Sequence, residues 1–137
     1  MGIWQEIATS ADLKNITNKK NSMIQLFLLN PDFTDQKADN KGKLYYCPDC
    51  AIIEGILSYY PELRKELDIV YVDFETPRTA IVALIGEENQ GSPVVIISKE
   101  ETHNVDVSYF TAYGDVLFIN STTLIAKFLS EKYNVGL

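Results

Sequence analysis

The apolar and polar positions of the chain alternate in blocks that predict strands and helices in turn. Met23 to Leu29 is a nearly continuous apolar run, which is typical of a strand buried on both faces. After a polar stretch over residues 30–46, a stripe of helical period follows Cys50, at Ile52, Ile53, Ile56, Leu57 and Tyr60. This stripe predicts a helix that ends near Tyr60, because Pro61 cannot continue it.

The next blocks repeat the alternation. Ile69 to Phe74 is rich in β-branched and aromatic residues and predicts a second strand. Thr76 and Pro77 fit the N-cap and first position of a helix that Gly86 would end. The apolar stripe of that helix is Ala80, Ile81, Leu84 and Ile85.

Two more strands and a final helix complete the pattern. Pro93 opens a third strand over 94–97, and residues 116–119 predict a fourth strand. Asn120 or Ser121 can cap the last helix. The apolar stripe of this helix is Leu124, Ile125, Phe128 and Leu129.

The order of these elements predicts an α/β fold, written βαβ-α-ββα. The first two strands, joined through a helix, should be parallel with a right-handed crossover, and the last two should pair antiparallel. We therefore expect a four-stranded mixed sheet with helices on both faces. Residues 98–114 are predicted to be a polar loop. Residues 1–22 are predicted to be an N-terminal packing arm, with a short helix capped by Ser10, ahead of one domain over 23–137.

Composition narrows the class of protein. The chain has 137 residues, 46% of them apolar and 23% charged, which suits one globular domain. The net charge of −7 disfavours a phosphate backbone, so we expect no nucleic-acid partner. No apolar run is long enough to span a membrane, and the first residues lack the pattern of a signal peptide. We expect a cytoplasmic protein without a membrane partner, and the pattern predicts no particular oligomeric state.

The candidate chemistry lies in the two cysteines of the chain, Cys47 and Cys50, at the start of a predicted helix. Pro48 suits the first turn, where a missing N–H costs nothing. Cys47 should face the free N–H groups and the positive end of the helix dipole, which favour a thiolate and lower its pKa. Cys50 returns to the same face, so Cys47 can attack a disulfide and Cys50 can resolve it. Asp49 opposes this lowering of the pKa, because its carboxylate competes for the same dipole.

Two other uses of the cysteines compete with redox chemistry. A structural zinc site usually needs four ligands, and the chain has one histidine, His103, and no second cysteine pair. A metal site within one chain is therefore not expected, while a site bridging two chains stays open. Inert burial is disfavoured, because the start of a helix exposes the first sulfur. We expect no resident metal or cofactor.

The loop over residues 30–46 leads directly into the cysteines, and loops of this length in a compact domain are often functional. It should border the site, with Lys43, Tyr45 and Tyr46 as candidate ligand contacts. For the tyrosines, packing against the cysteine helix is the alternative.

Over residues 23–135 the chain resembles the thioredoxin superfamily. The features that carry this are the Cys47-Pro48-Asp49-Cys50 helix start, Ser92-Pro93 before a strand, and the order of elements. The motif with a proline between the cysteines resembles that of glutaredoxin, in which a tyrosine usually stands where this chain has Asp49. The run from Leu26 through Pro93 is similar to an uncharacterised bacterial thioredoxin-like family, catalogued as a domain of unknown function and related to glutaredoxin and the N-terminal domain of glutathione transferases. The resemblance implies a thioredoxin-like domain over 23–137.

The resemblance also implies further site residues. The bond before Pro93 would be cis and lie beside the nucleophilic cysteine, and the main chain of Ser92 would pair with a peptide or glutathione. Asn120-Ser121 matches the helix start that holds the γ-glutamyl carboxylate in glutathione transferases, with a plain helix cap as the alternative. Lys43 or Arg78 could meet the glycine carboxylate. Pattern and resemblance together assign catalysis to Cys47 and Cys50, and substrate binding to Pro48, Ser92, Pro93, Asn120, Ser121, Lys43 and Tyr46.

These assignments predict a thiol–disulfide oxidoreductase of glutaredoxin or thioredoxin type. Its partner would be a thiol or disulfide of glutathione or of a protein, with glutathione as a candidate co-substrate and no other cofactor. The alternative is a non-catalytic module of the same fold that binds glutathione or a protein.

Overall fold

The structure is a computed structural model, and it describes residues 24–102 and 105–137. The predicted packing arm, Met23 and His103 lie outside these residues. The strands of the described part are β1 (Ile24–Leu29), β2 (Asp68–Val72), β3 (Val94–Ser98), β4 (Thr111–Tyr113) and β5 (Val116–Ile119). The helices there are α1 (Pro48–Tyr59), α2 (Leu63–Glu66), α3 (Thr79–Ile85) and α4 (Thr122–Tyr133).

The described strands form one mixed sheet in the order β2-β1-β3-β5-β4. β1 and β2, joined through α1, are parallel, and β1–β3, β3–β5 and β4–β5 are antiparallel. The predicted parallel pair and the predicted antiparallel pair of late strands are thus confirmed. The longest helices, α1 and α4, have 12 residues each. Among the described residues, no helix has the length and apolar character that crossing a bilayer requires.

The predicted count of four strands is wrong, because the described sheet has five. The additional strand, β4, lies inside the predicted polar loop over 98–114 and forms a hairpin with β5. All three residues of β4 are exposed. The prediction failed because this edge strand has no buried face, and therefore no apolar alternation to mark it in the sequence.

The two faces of the sheet are covered by different helices. Leu26 and Leu28 of β1 belong to the cluster that packs under α1 and α4, whereas Phe27 packs with α3 on the opposite face. Successive strand residues point to opposite faces, so a continuous apolar run serves both clusters. Each fully buried side chain of this size contributes roughly 1.5–3 kcal/mol. The prediction of helices on both faces is confirmed.

The start of α3 differs from the prediction. The helix begins at Thr79 and its N-cap is Arg78, so Thr76 and Pro77 lie in the preceding loop, joined by a cis peptide bond. The Arg78 guanidinium donates to the carbonyl oxygens of Phe74 and Gln90, at 2.6 and 2.7 Å. The Arg78 N–H donates to the side chain of Gln90. These bonds hold the segment as a loop, and the pattern of apolar positions gives no signal for an arginine side chain that binds main-chain carbonyls on both sides of it.

Gly86 ends α3 with φ +88° and ψ 166°, a conformation that essentially only glycine adopts. We expect Gly86→Ala to lower the free energy of unfolding by about 1–3 kcal/mol. Gly55 lies within α1, and a Cβ added there meets no atom within 4 Å. Gly55→Ala should therefore raise the free energy of unfolding by about 0.5–1 kcal/mol. Urea unfolding of both variants measures these changes. If both substitutions raised or both lowered the free energy of unfolding, the different roles of Gly86 and Gly55 would be contradicted.

Candidate functional site

The helix α1 positions the two cysteines through its first turn. Cys47 is the N-cap residue, and its Sγ accepts a hydrogen bond from the Cys50 N–H at 3.1 Å. Pro48 occupies the first helical position and is exposed. Both cysteines are free thiols; Cys47 is partly buried, whereas Cys50 is only 4% exposed. The first sulfur is thus within reach of solvent, and the second lies in the core.

Ser92 contacts both thiols from the opposite side of the site. Its carbonyl oxygen lies 3.7 Å from Cys47 Sγ, and its Oγ lies 3.6 Å from Cys50 Sγ. The Ser92 hydroxyl donates to the Phe27 carbonyl oxygen at 2.9 Å. Since its one hydrogen is used there, its oxygen is left to accept from the Cys50 thiol. The sequence did not indicate this side-chain role, because Phe27, Cys50 and Ser92 are far apart in the chain.

Pro93 follows Ser92 through a cis peptide bond, as the resemblance implies, and is buried at the start of β3. The register of the sheet places further predicted residues nearby. Val94 pairs with Phe27 of β1, and Val95 pairs with Ile119 of β5. The carboxyl ends of β1 and β5 therefore meet the amino end of β3 at one edge of the sheet.

Asn120 and Ser121 follow β5 at this same edge. A Cβ built on Gly91 would lie 3.9 Å from Asn120 Nδ2, so the Asn120 amide lies beside the loop that carries Ser92. Ser121 is the N-cap of α4, and its Oγ accepts from the Leu124 N–H at 3.3 Å. The described contact of Ser121 is thus the helix cap, which was the alternative to carboxylate binding.

The loop over residues 30–46 brings Tyr46 to the cysteines. Phe33 and Tyr45 form an antiparallel bridge that closes the loop, and Tyr45 OH donates to Asp39 within it. Tyr46, which is 62% exposed, then lies directly before Cys47. Lys43 is exposed on the loop. The Arg78 guanidinium donates to the carbonyl oxygens of Phe74 and Gln90, and a contact between Arg78 and a ligand carboxylate stays a prediction.

An apolar groove of about 440 Å³, here called the cysteine groove, opens beside the two sulfurs. It is lined by Leu28, Leu29, Pro31, Tyr46, Cys47, Cys50, Ala51, Glu54 and Tyr71. Sequence analysis missed Glu54 and Tyr71. Glu54 could have been found from its spacing, since it lies one helical turn after Cys50. Tyr71 comes from β2 and had no such signal.

Glu54 is held at the groove by two partners. Its Oε1 accepts from Arg64 Nη2 at 2.5 Å, and its Oε2 accepts from Tyr71 OH. Partial burial raises the pKa of Glu54, but the hydrogen bonds from Tyr71 and Arg64 outweigh it and leave the pKa lowered. Glu54 therefore stays ionised at neutral pH. Within residues 24–102 and 105–137, no group of three or more histidine, cysteine and carboxylate side chains lies together as a metal site would require.

The pKa of Cys47 moves opposite to our expectation. Burial and the neighbouring Cys50 thiol raise it from 9.0 to about 11, against the lowering effect of the Cys50 N–H bond. The negative charge of Asp49 contributes in the same upward direction, as the sequence predicts. The predicted lowering is wrong because it took the helix start as exposed, whereas the sulfur is partly withdrawn from water.

This pKa sets the pH dependence of the thiol. Because only the thiolate reacts, alkylation of Cys47 by iodoacetamide should accelerate about tenfold per pH unit from about pH 7 to pH 10. Asp49→Asn should shift the pH profile of the alkylation rate to lower pH. Glu62 is an exposed carboxylate next to α2, and Glu62→Gln should leave this profile unchanged. Mass spectrometry of the alkylated protein gives the rates. A plateau below pH 9 would contradict the raised pKa.

The Ser92 hydroxyl, which contacts both Phe27 and Cys50, should also contribute to the stability of the fold. Ser92→Ala removes the donor to the Phe27 carbonyl and the partner of Cys50, so we expect a loss of about 1–2 kcal/mol in unfolding free energy. Ser58→Ala, at an exposed position of α1, is the matched control and should change little. Urea unfolding of the reduced proteins compares them. Equal stability of the two variants would show that the Ser92 bonds contribute nothing.

Comparison with curated proteins finds no match, and comparison with solved structures finds none either. A family model described as "Protein of unknown function (DUF3088)" matches residues 24–136. This range begins with β1 and includes both cysteines, the Ser92-Pro93 bond and all of α4. The protein therefore belongs to this family of unknown function.

Proposed function

We propose that the protein is a cytoplasmic thiol–disulfide oxidoreductase with a thioredoxin-like fold, in which Cys47 attacks and Cys50 resolves. The observation that carries this proposal is that two free thiols at the start of α1 both contact Ser92. A partly exposed sulfur beside a buried one suits the division between an attacking and a resolving thiol. The parallel β1–α1–β2 unit, the antiparallel β3 and β5, and the cis bond before Pro93 support the thioredoxin-like assignment.

The proposed reaction proceeds in two exchanges. The Cys47 thiolate attacks one sulfur of a substrate disulfide, forms a mixed disulfide with it, and releases the other substrate sulfur as a thiolate that takes up a proton. Cys50 then attacks Cys47 Sγ, and the Cys47–Cys50 disulfide forms as the second substrate thiol leaves with the proton that Cys50 loses. Substrate gains two electrons, and a dithiol or two glutathione molecules return them to the protein.

The raised pKa of Cys47 favours a second candidate, a module that binds glutathione or a protein without turnover. At a pKa of about 11, roughly one Cys47 in ten thousand is ionised at pH 7. Attack on a disulfide depends on this fraction, so the free protein reacts slowly unless a bound ligand stabilises the thiolate. Repeated turnover of a disulfide under excess dithiothreitol separates an enzyme from a binding module.

The roles of the cysteines are tested by single substitutions in the full chain. We expect Cys47→Ser to abolish mixed-disulfide formation with hydroxyethyl disulfide, because the accessible nucleophile is lost. Cys50→Ser should accumulate the mixed disulfide on Cys47, because nothing resolves it. Intact-mass spectrometry after acid quenching detects both results. Modification of Cys50 before Cys47 in the unsubstituted protein would reverse the assignment of roles.

A further inference from the structure

We propose that the cysteine groove binds a large apolar side chain of a peptide substrate, adjacent to the cysteine whose disulfide is reduced. This inference rests on the proposed function, because it names the substrate class of that reaction. Cys47 and Cys50 both line the groove, so a group bonded to Cys47 starts at its wall. The volume of about 440 Å³ lies in the range of ligand pockets and holds a phenylalanine side chain with its neighbouring backbone.

The walls of the groove match an apolar occupant. Leu28, which is fully buried, and Leu29 come from the end of β1. Pro31 and Ala51 add apolar surface from the loop and from α1. A side chain that enters removes its own surface and that of Leu29, Pro31 and Ala51 from water, which is the main source of affinity in such a site.

The charges around the groove disfavour glutathione. The residues that line it in the described part of the chain include no lysine or arginine, and both oxygens of the lining carboxylate, Glu54, are already bonded. Asp49 adds a negative charge beside Cys47. The carboxylates of glutathione would therefore meet the like charges of Glu54 and Asp49, while the Arg64 cation beside the groove is already paired with Glu54. A neutral peptide avoids this repulsion.

The surroundings of the groove favour a peptide over a small apolar molecule. Tyr46, which lines the groove, is 62% exposed. Leu44, two residues before Tyr46, and Ile52, directly after Ala51, are 60% and 55% exposed. Large apolar side chains exposed around a groove mark contact with a partner of larger extent. A peptide that anchors one side chain in the groove can cover these residues with its neighbours.

The test uses the full chain with Cys50→Ser and measures rates of mixed-disulfide formation by mass spectrometry. The probes are the disulfide of a short peptide, capped at both ends, with phenylalanine beside its cysteine; the same peptide with glycine in that place; glutathione disulfide; and hydroxyethyl disulfide. We expect the phenylalanine peptide to react about tenfold faster than the glycine peptide, and faster than glutathione disulfide. Hydroxyethyl disulfide, too small to fill the groove, reports the reactivity of Cys47 itself.

Substitutions in the same background locate the preference. Ala51 is exposed on α1 and lines the groove, so Ala51→Glu should remove the phenylalanine advantage when rates are divided by the hydroxyethyl rate. Tyr46→Ala, on the loop, should reduce it independently of α1. Ser58→Glu places the same charge on an exposed position of α1 outside the lining and should leave the advantage intact.

Each contrary result has a distinct meaning. Equal rates for the two peptides, or a faster rate for glutathione disulfide, overturn the peptide assignment while the proposed function stands. Failure of hydroxyethyl disulfide to modify Cys47 up to about pH 10 overturns the proposed function and the substrate class with it. Self-association that Ala51→Glu abolishes and Ser58→Glu does not would show that a second copy fills the groove, which also overturns the proposal.

Discussion

The hydrogen bond from the Ser92 hydroxyl to the Phe27 carbonyl fixes the geometry on which the site depends. It ties the loop before β3 to β1, and Ser92 then presents its carbonyl oxygen to Cys47 and its hydroxyl oxygen to Cys50. The helix α1 supplies the sulfurs, but the sheet determines where they rest. β1 is paired on both sides, by β2 and β3, so this anchor belongs to an interior strand of the described sheet.

Two effects compete at Cys47, and their magnitudes decide the outcome. A helix terminus contributes about 0.3–1 kcal/mol to a nearby charge, which moves a pKa by less than about one. Withdrawal from water and the adjacent Cys50 thiol act in the opposite direction and carry the pKa from 9.0 to about 11. A cysteine at a helix start is therefore not acidic by position alone. A bound ligand that changes the exposure of the Cys47 sulfur to water would therefore change the pKa of this thiol.

The sequence predicts the parts of this molecule whose signal is local and repeated. The run from Met23 to Leu29, the stripe of α1 and the caps of α4 led to the right element types and to the parallel β1–β2 pair. The parts that failed lack such a signal, either because a strand such as β4 has no buried face or because they depend on contacts between distant residues. Ile52 fits the helical stripe but is 55% exposed, because the core lies under Cys50, Ile53 and Leu57. The role of Arg78 and the Tyr71 wall of the groove depend on loops and strands that only the folded chain brings together.

Cys50 is both a candidate reactive group and a member of the hydrophobic core. It is packed in one cluster with Leu26, Ile53 and Phe128. A thermodynamic cycle links chemistry at this sulfur to folding. If a chemical change at Cys50 lowers the free energy of unfolding, then folding makes that change less favourable by the same free energy, and the reverse holds for a change that stabilises the fold. A core residue such as Phe128, far from Cys50 in sequence, would therefore influence a chemical equilibrium at that sulfur without taking part in the reaction.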